Sequence, residues 1–203
     1  VKAWKAYGDI SDVVVWGVTW NKQEHIYITF PSAPATWVYD ATTGLFHERV
    51  SHDADTVSLS RWRGNVYASC YGRQFIGDAF TNQIGYLDDN TYTEYGNPIV
   101  WRAVSPTMHN NGAKVFMSSL EFKMATGVAP VTGQGSDPKM ILDWSDDGGA
   151  TFSTVTKEQS LGAIGERQRR VRFTGMGSFY ERCFRTTITD PVKRAMIVAI
   201  PKV

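Results

Sequence analysis

The sequence "ILDWSDDGGATF", residues 141–152, places three aspartates and two glycines between two runs of strand-forming residues. It is compatible with a metal-binding loop, with a hairpin motif defined by particular side chains, or with an ordinary turn. Asp-Gly is by itself a strong signal for a hairpin between antiparallel strands. The stretch therefore predicts a β-rich fold, and its three interpretations decide whether the chain is expected to do chemistry.

The metal interpretation rests on the front half of a calcium loop. Asp143, Ser145 and Asp147, followed by Gly148, match the pattern D-x-S-x-D-G of helix-loop-helix calcium proteins. The twelfth position, where a bidentate glutamate closes such a site, is Thr154. The flanking residues alternate as in strands rather than helices. The pattern thus argues against a calcium-dependent adhesin, and we expect no metal ion and no cofactor.

The second interpretation is the Asp box, S-x-D-x-G-x-T-W, a motif known from sialidases. Its positions are held here by Ser145, Asp147, Gly149 and Thr151, with Phe152 in the place of tryptophan. In such a box the aspartate accepts hydrogen bonds from backbone amides across the turn, and glycine supplies a positive φ. The motif is structural, so it agrees with the ordinary hairpin in predicting a turn without catalysis.

Composition limits the possible classes of protein. The 203 residues include 21 basic and 20 acidic side chains, a net charge of +1 that gives no general attraction to DNA or anionic lipid. Seven Trp, nine Tyr and ten Phe accompany 18 Gly, which is typical of an all-β protein. No apolar run approaches the roughly 20 residues of a membrane-spanning helix, and no secretion signal is visible. Because the chain begins with Val, we expect a processed product or a piece of a longer protein.

Residues 1–95 show two rounds of short strands separated by turns. Tyr39-Asp40 in the first round corresponds to Leu87-Asp88 in the second, at a spacing close to that of propeller blades. Two rounds cannot close a propeller. We therefore predict propeller-like blades that belong to a larger propeller, and a simple β-meander with chance similarity is the alternative.

Residues 96–203 carry longer alternating segments and are predicted to form a jelly-roll-like β-sandwich. Gly96 and Pro98 mark the seam between the two parts, and 127–138, rich in Gly and Pro, is predicted to be a long mobile loop. We predict no helix. The expected strands are 99–105, 114–126, 139–145, 151–156, 169–174, 180–189 and 195–200.

The strongest local charge lies in "GERQRRVRF", residues 165–173. It contains Arg167, Arg169, Arg170 and Arg172, and on a strand the last two would share one face. One interpretation is a patch that faces acidic subunits or DNA phosphates. The other is an exposed strand whose charges prevent edge-to-edge pairing.

Catalytic motifs are not evident in this sequence. The four histidines share no ligand spacing, and no nucleophile elbow, phosphate-binding loop or H-E-x-x-H motif is present. Carboxylates are plentiful, so spacing alone leaves a glycosidase open. We predict that the protein is not an enzyme and assign no catalytic residue.

One segment resembles a known family. "HIYITFPSAPATWVYDATTGLFHERVS", residues 25–51, is similar to a stretch typical of the P22-like phage tail accessory factors, also called packaged DNA stabilisation proteins or tail hubs. "WSDDGGATF", "LGAIGERQRRVRF" and "ERCFRTTITDP" resemble the C-terminal portion of that family. Phe46 stands where Trp is usual. The residues of the first segment that fit are Tyr27, Phe30, Pro31, Thr36, Trp37, Tyr39, Asp40, Thr43, Gly44, Glu48 and Arg49.

The resemblance implies a structural virion protein, made in the bacterial cytoplasm, that docks below the portal and adaptor and stabilises packaged DNA. It also implies a ring, hexameric in the family, with the adaptor–portal ring, tail needle and tailspikes as partners. Non-specific contact with packaged DNA would fit this place, and no membrane partner is implied. The alternative function is a carbohydrate-binding or sialidase-like module that uses the Asp-box hairpin.

Overall fold

The computed structural model describes residues 2–53 and 58–203 of the chain. The fold is all-β, as the composition predicts, with one short 3-10 helix at Lys2–Ala6 that the sequence pattern did not predict. The residues divide into two compact units, Val1–Asn97 and Pro98–Val203. Among the residues that the structure describes, no helix has the length and hydrophobicity needed to cross a bilayer.

The first unit is built from short antiparallel strands in separate small sheets. Strands β1–β4 form one sheet in sequential order, β7–β9 form another, and β5–β6 and β10–β11 are two-stranded. The sequence "VSLSRWRG", residues 57–64, predicts one strand of the second round, and its first residue, Val57, lies outside the described residues. The strands are β1 Val14–Trp20, β2 Gln23–Phe30, β3 Ala35–Asp40, β4 Leu45–Glu48, β5 Val50–Asp53, β6 Ser58–Arg61, β7 Gly64–Cys70, β8 Arg73–Asp78, β9 Ile84–Tyr86, β10 Thr93–Glu94 and β11 Asn97–Pro98.

Stacked aromatic rings form the core of this unit. Trp16 on β1 lies flat between Tyr27 on β2 and Tyr67 on β7, with ring centroids 4.1 and 5.1 Å away. Trp62, which is 5% exposed, packs against Tyr27 and donates from its indole nitrogen to Glu94 at 2.8 Å. Arg49 covers Trp62 at 4.7 Å and donates to the Tyr27 hydroxyl. The aromatic residues of separate strands therefore hold the β1–β4 and β7–β9 sheets together.

Three turns of this unit share one hydrogen-bond motif. In each, an aspartate accepts a hydrogen bond from the hydroxyl of a threonine three residues later. Burial raises the pKa of Asp78, but hydrogen bonds from Arg63 and Thr81 outweigh it and bring the pKa to about 2. The Asp–Thr pairs are Asp40–Thr43, Asp78–Thr81 and Asp88–Thr91.

The propeller-like blades predicted for residues 1–95, as part of a larger propeller, are not shown as a propeller. The described residues of the first unit form open sheets of two to four strands, and none of these sheets closes on itself. The physical reason is strand number, because two rounds of strands cannot complete a ring of blades.

A glycine beside the aromatic core supplies a prediction about packing. A Cβ on Gly64 would lie 2.5 Å from ring atoms of Trp62 and 2.8 Å from a methyl of Ile76. We expect Gly64→Ala to lower the free energy of unfolding by about 1–3 kcal/mol through overpacking. Gly17→Ala is the matched control, because its Cβ would meet only the His25 carbonyl at 3.8 Å. Urea unfolding of both variants measures the difference, and equal stability would contradict the role of this contact.

The second unit is a sandwich of two antiparallel sheets. One sheet has the order β12-β18-β15-β16, with β13 also paired to β18, and the other has the order β17-β14-β19. The β-sandwich predicted for this region is therefore confirmed. The strands are β12 Trp101–Val104, β13 Met108–His109, β14 Val115–Met124, β15 Lys139–Ser145, β16 Lys157–Ser160, β17 Val171–Phe179, β18 Glu181–Ile188 and β19 Met196–Lys202.

Apolar side chains from both sheets meet in one core. On β14, β15 and β18 they alternate with outward-facing residues, as expected for strands with one buried face. Only Tyr180 separates β17 from β18, so the chain passes from one sheet to the other at that residue. The buried residues of this core are Val115, Met117, Leu120, Phe122, Met140, Leu142, Leu161, Val171, Phe173, Met176, Phe179, Phe184 and Ile188.

One strand prediction in this unit was wrong, and a second was wrong at its start. The predicted strand 151–156 is a turn and loop, and the strand that pairs with β15 lies at Lys157–Ser160. The predicted strand 169–174 begins only at Val171, so Arg169 and Arg170 precede it. In the segment 151–156, the Ser153 amide donates to the Trp144 carbonyl at 2.8 Å. The loop after β15 is therefore longer than predicted, and the strand that pairs with β15 begins only at Lys157.

Candidate functional site

The Asp-box hairpin lies between β15 and β16 and is held by hydrogen bonds within itself. The Ser145 hydroxyl donates to Asp147 at 2.5 Å, and the Thr151 amide and hydroxyl donate to the same carboxylate at 2.9 and 2.5 Å. The Gly149 amide donates to the Ser145 oxygen at 2.9 Å. Gly148 and Gly149 have φ values of 73° and 95°, where side chains with a Cβ are strained. The Asp147 carboxylate is thus used to fix a turn.

Phe152, in the tryptophan position of the box, anchors the hairpin to the outer face of the sheet. The Arg185 guanidinium carbon lies 3.8 Å from the centroid of its ring. Arg185 also forms an ion pair with Asp143, the residue directly opposite it on β15. Asp143 is 7% exposed although it points away from the core. The hairpin therefore covers this ion pair and shields it from water.

Arg182 is the most buried cation of the site. Its side chain is 7% exposed, and its guanidinium donates to both carboxylate oxygens of Asp146 at 2.5 and 2.7 Å. A third bond runs to the Met176 carbonyl at 2.7 Å. The guanidinium carbon lies 4.5 Å from the Phe179 ring and 5.4 Å from the Trp144 ring. Because Met176 is on β17 and Trp144 on β15, this one side chain links both sheets.

The three aspartates of the opening stretch therefore have three separate partners. Asp143 binds Arg185, Asp146 binds Arg182, and Asp147 binds Ser145 and Thr151. Within residues 2–53 and 58–203, no group of three or more His, Cys, Asp or Glu side chains is placed to hold a metal ion. The carboxylates stabilise the turn and sheet and do not converge on a ligand.

The basic segment does not form the continuous strand face that the sequence suggested. Arg167 and Arg169 lie in the loop before β17, and Arg169 is 3.4 Å from Glu166 in an exposed ion pair. Arg170 binds Glu121 on β14 through two bonds of 3.0 and 2.6 Å. Arg172 is the only one of the four on β17 itself. The structure thus separates Arg170 and Arg172 from the other two arginines.

Sequence reasoning did not connect Arg182 and Arg185 with the aspartates of the Asp-box stretch. They lie 36 and 42 residues from their aspartates, so no local pattern connects them. It also missed a cleft of about 760 Å³ beside the hairpin. The cleft is lined by Gly112 and by the polar and aromatic residues His109, Lys114, Asp146, Ser178, Phe179, Tyr180 and Glu181. The only available signal was the alternation of "ERCFRTTI", which places arginines on a strand.

Removing Arg182 tests how much the link between the sheets stabilises the sandwich. We expect Arg182→Ala to reduce the free energy of unfolding by about 3 kcal/mol, because the Met176 carbonyl loses its donor and two rings lose their packing partner. Arg170→Ala is the control, since that side chain is 64% exposed and should cost less than about 1 kcal/mol. Denaturant unfolding compares the two, and similar losses would contradict the special role of Arg182.

Protonation of Asp147 should open the hairpin. Hydrogen bonds from Ser145 and Thr151 hold the pKa of Asp147 far below its usual value. The folded hairpin therefore binds the proton more weakly than the unfolded chain, and its stability is lost only as the pH falls below about 3.9 toward the folded pKa. A pH titration of the Thr151 amide by NMR should show a midpoint well below that value. Thr151→Val, which removes one donor, should raise the midpoint, and a midpoint of about 3.9 in the unaltered protein would refute the assignment.

Comparison with known proteins identifies the second unit. Residues 100–199 match the family model described as bacteriophage P22 Gp10, beta-sandwich. No curated protein matches the chain. The matched range covers strands β12–β18 and most of β19, including the Asp-box hairpin and both buried arginines. The family resemblance seen in the sequence is confirmed by this match, and residues 100–199 are similar to the β-sandwich of bacteriophage P22 Gp10.

Proposed function

We propose that this chain is a structural component of a phage tail hub that docks below the portal and adaptor and stabilises packaged DNA in the virion. The observation that carries the proposal is the family match over residues 100–199, which indicates a tail structural component. The resemblance of residues 25–51 extends the same assignment to the first unit. Its mechanism is docking and occlusion, and no covalent step is part of it.

The use of charged side chains in the sandwich supports a structural role. Arg182, Arg185 and Arg170 are bound to Asp146, Asp143 and Glu121 within the unit. A sialidase-like site needs arginines that converge on a sugar carboxylate, and these three are committed to internal pairs. We therefore propose that the protein is not an enzyme and that its Asp box serves only the hairpin.

The first unit presents an apolar surface that fits an assembled protein. On β7, β8 and β9 most residues pointing away from the aromatic core are uncharged, and Val66, Ile84 and Tyr86 are 62%, 75% and 50% exposed. The exception is Arg73, whose guanidinium carbon lies 4.6 Å from the centroid of the Tyr86 ring. Contiguous exposed apolar patches of this kind mark surfaces that are covered by a partner. The outer-face residues are Val66, Ala68, Cys70, Arg73, Phe75, Gly77, Ile84 and Tyr86.

A larger propeller would provide that cover. The β7–β9 sheet packs one face on the β1–β4 sheet through Tyr67 and Trp16, and its other face is largely apolar, with Arg73 at its edge. A sheet with two apolar faces is expected between two neighbours, as a blade lies between blades. We propose that this unit supplies two blades of a propeller whose other blades cover the outer face, within a ring-forming subunit that is hexameric in the family.

Phage particles provide the test of the proposed function. Particles made without this protein should package DNA but release it, which is measured as DNA that becomes sensitive to nuclease. Adding the purified full-length protein should restore retention together with binding to the portal–adaptor complex. Stable retention without the protein, or failure of the full-length protein to bind any tail complex, would refute the proposal.

A single substitution on the outer face of the β7–β9 sheet should affect assembly into tails without affecting folding. Ile84→Arg places a charge on the apolar outer face, so assembly into tails should be lost while stability changes by about 0.5 kcal/mol or less. Val155→Arg is the matched control, because Val155 is 65% exposed in a loop of the second unit. Thermal melting and incorporation into particles are measured for both. Normal incorporation of Ile84→Arg would contradict the assignment of this face.

A further inference from the structure

The outer face of the three-stranded sheet in the second unit concentrates positive charge. Glu121 on β14 lies opposite Arg172 on β17 and Ile200 on β19. Lys123 is two residues further along β14 and therefore shares this face. Lys202 on β19 pairs with Ser119, the position two residues before Glu121. The strand register thus arranges basic side chains around one carboxylate.

The electrostatics of Glu121 show how close these cations are. The hydrogen bond from Arg170 lowers the pKa of Glu121 most, and the charges of Arg170, Lys202 and Arg172 lower it further. One carboxylate cannot neutralise all of these cations. Four basic residues, Lys123, Arg170, Arg172 and Lys202, surround one acid, which leaves three positive charges on a chain whose total is only +1.

Three of the four cations remain free for a ligand. Arg170 is bound to Glu121, but among the described residues Lys123, Arg172 and Lys202 take part in no ion pair. The Arg172 Nε is buried and has no hydrogen-bond partner in the described part of the chain. A buried donor of this kind costs free energy unless an acceptor reaches it. The face therefore has unmet donors as well as unbalanced charge.

We propose that this basic sheet face, formed by Lys123, Arg170, Arg172 and Lys202, binds the phosphate backbone of double-stranded DNA. The inference rests on the proposed tail-hub function and specifies the surface that would meet packaged DNA. Arg167 and Arg169 of the basic segment are not part of it, since they lie in the loop and Arg169 is paired with Glu166.

The composition of the face favours DNA over an acidic protein. Protein interfaces are anchored by aromatic residues in desolvated pockets. The residues that the register places here beside the cations and Glu121 are Thr174, Val198 and Ile200, without an aromatic ring. The cations come from β14, β17, β19 and the residue directly before β17, and contacts of this type position a phosphate backbone without reading sequence.

Salt-dependent binding tests the proposal with the full 203-residue chain. Fluorescence anisotropy with a labelled duplex of about 30 base pairs should show sequence-independent binding that weakens as salt rises, with a logarithmic slope of about 0.9 for each phosphate contact. The triple variant Lys123→Gln, Arg172→Gln, Lys202→Gln should bind at least about tenfold more weakly at low salt and reduce that slope by about 2.7.

The matched control removes the same charge elsewhere on the unit. Lys114→Gln, Arg169→Gln and Lys139→Gln take away three cations, two of which are paired with exposed acids. This variant should keep most of the affinity and the slope. Equal loss in both triple variants would show a response to net charge alone and would overturn the assignment. Tighter binding of poly-glutamate than of DNA at equal charge would assign the face to an acidic protein and overturn it as well.

The outcome is distinguishable from failure of the tail-hub function. If the unaltered chain binds no DNA, the inference about this face is wrong. If the Lys123→Gln, Arg172→Gln, Lys202→Gln variant then still enters particles, the docking role stands. If the chain binds DNA through this face but no tail complex incorporates the protein, the docking role is wrong. Melting curves establish that both triple variants are folded, since five of the six residues are exposed and Arg172 is only partly buried.

Discussion

The sandwich depends on one buried guanidinium. Arg182 extends from β18 to donate to Asp146 beside the Asp box and to the Met176 carbonyl on the opposite sheet. Taking a guanidinium out of water is costly, so such a group persists only where its donors are satisfied. Three bonds and two flanking rings supply that environment here. This contact connects Asp146, directly after the end of β15, with Met176 on β17 of the opposite sheet.

The Asp-box hairpin adds a second stabilising contact, on the outer face of the sheet. Its turn is held by Asp147, and its Phe152 ring then reaches back over Arg185. The ring lowers the exposure of the Arg185–Asp143 pair, and weaker screening by water strengthens the attraction between the two charges. Cys183, on the same outer side of the strand, is 2% exposed. A motif associated with sialidases thus works here as a cover for the outer face of a sheet.

The sequence predicts features that depend on neighbouring residues, but it does not predict contacts between residues far apart in the chain. The bounds of β15, Lys139–Ser145, follow directly from the alternation of "KMILDWS", and the box residues follow from a local pattern. The expected strand at 151–156 failed because "TFSTVT" alternates as a strand does, while Ser153 and Phe152 are held by contacts with Trp144 and Arg185. Arg182 and Arg185 find their partners only through the register of β15 and β18, which a one-residue shift would abolish.

The difference between local and long-range interactions also explains why the number of arginines in 165–173 did not predict where the basic surface lies. Four arginines close in sequence suggested one patch, yet strand register and local pairing divide them. Arg169 meets its acid three residues away, whereas Arg172 faces a sheet surface built with Lys123 and Lys202 from distant parts of the chain. A net charge of +1 conceals this surface because acids elsewhere balance it. Cations that folding leaves unpaired are therefore a better indication of partners than the number of basic residues in a segment.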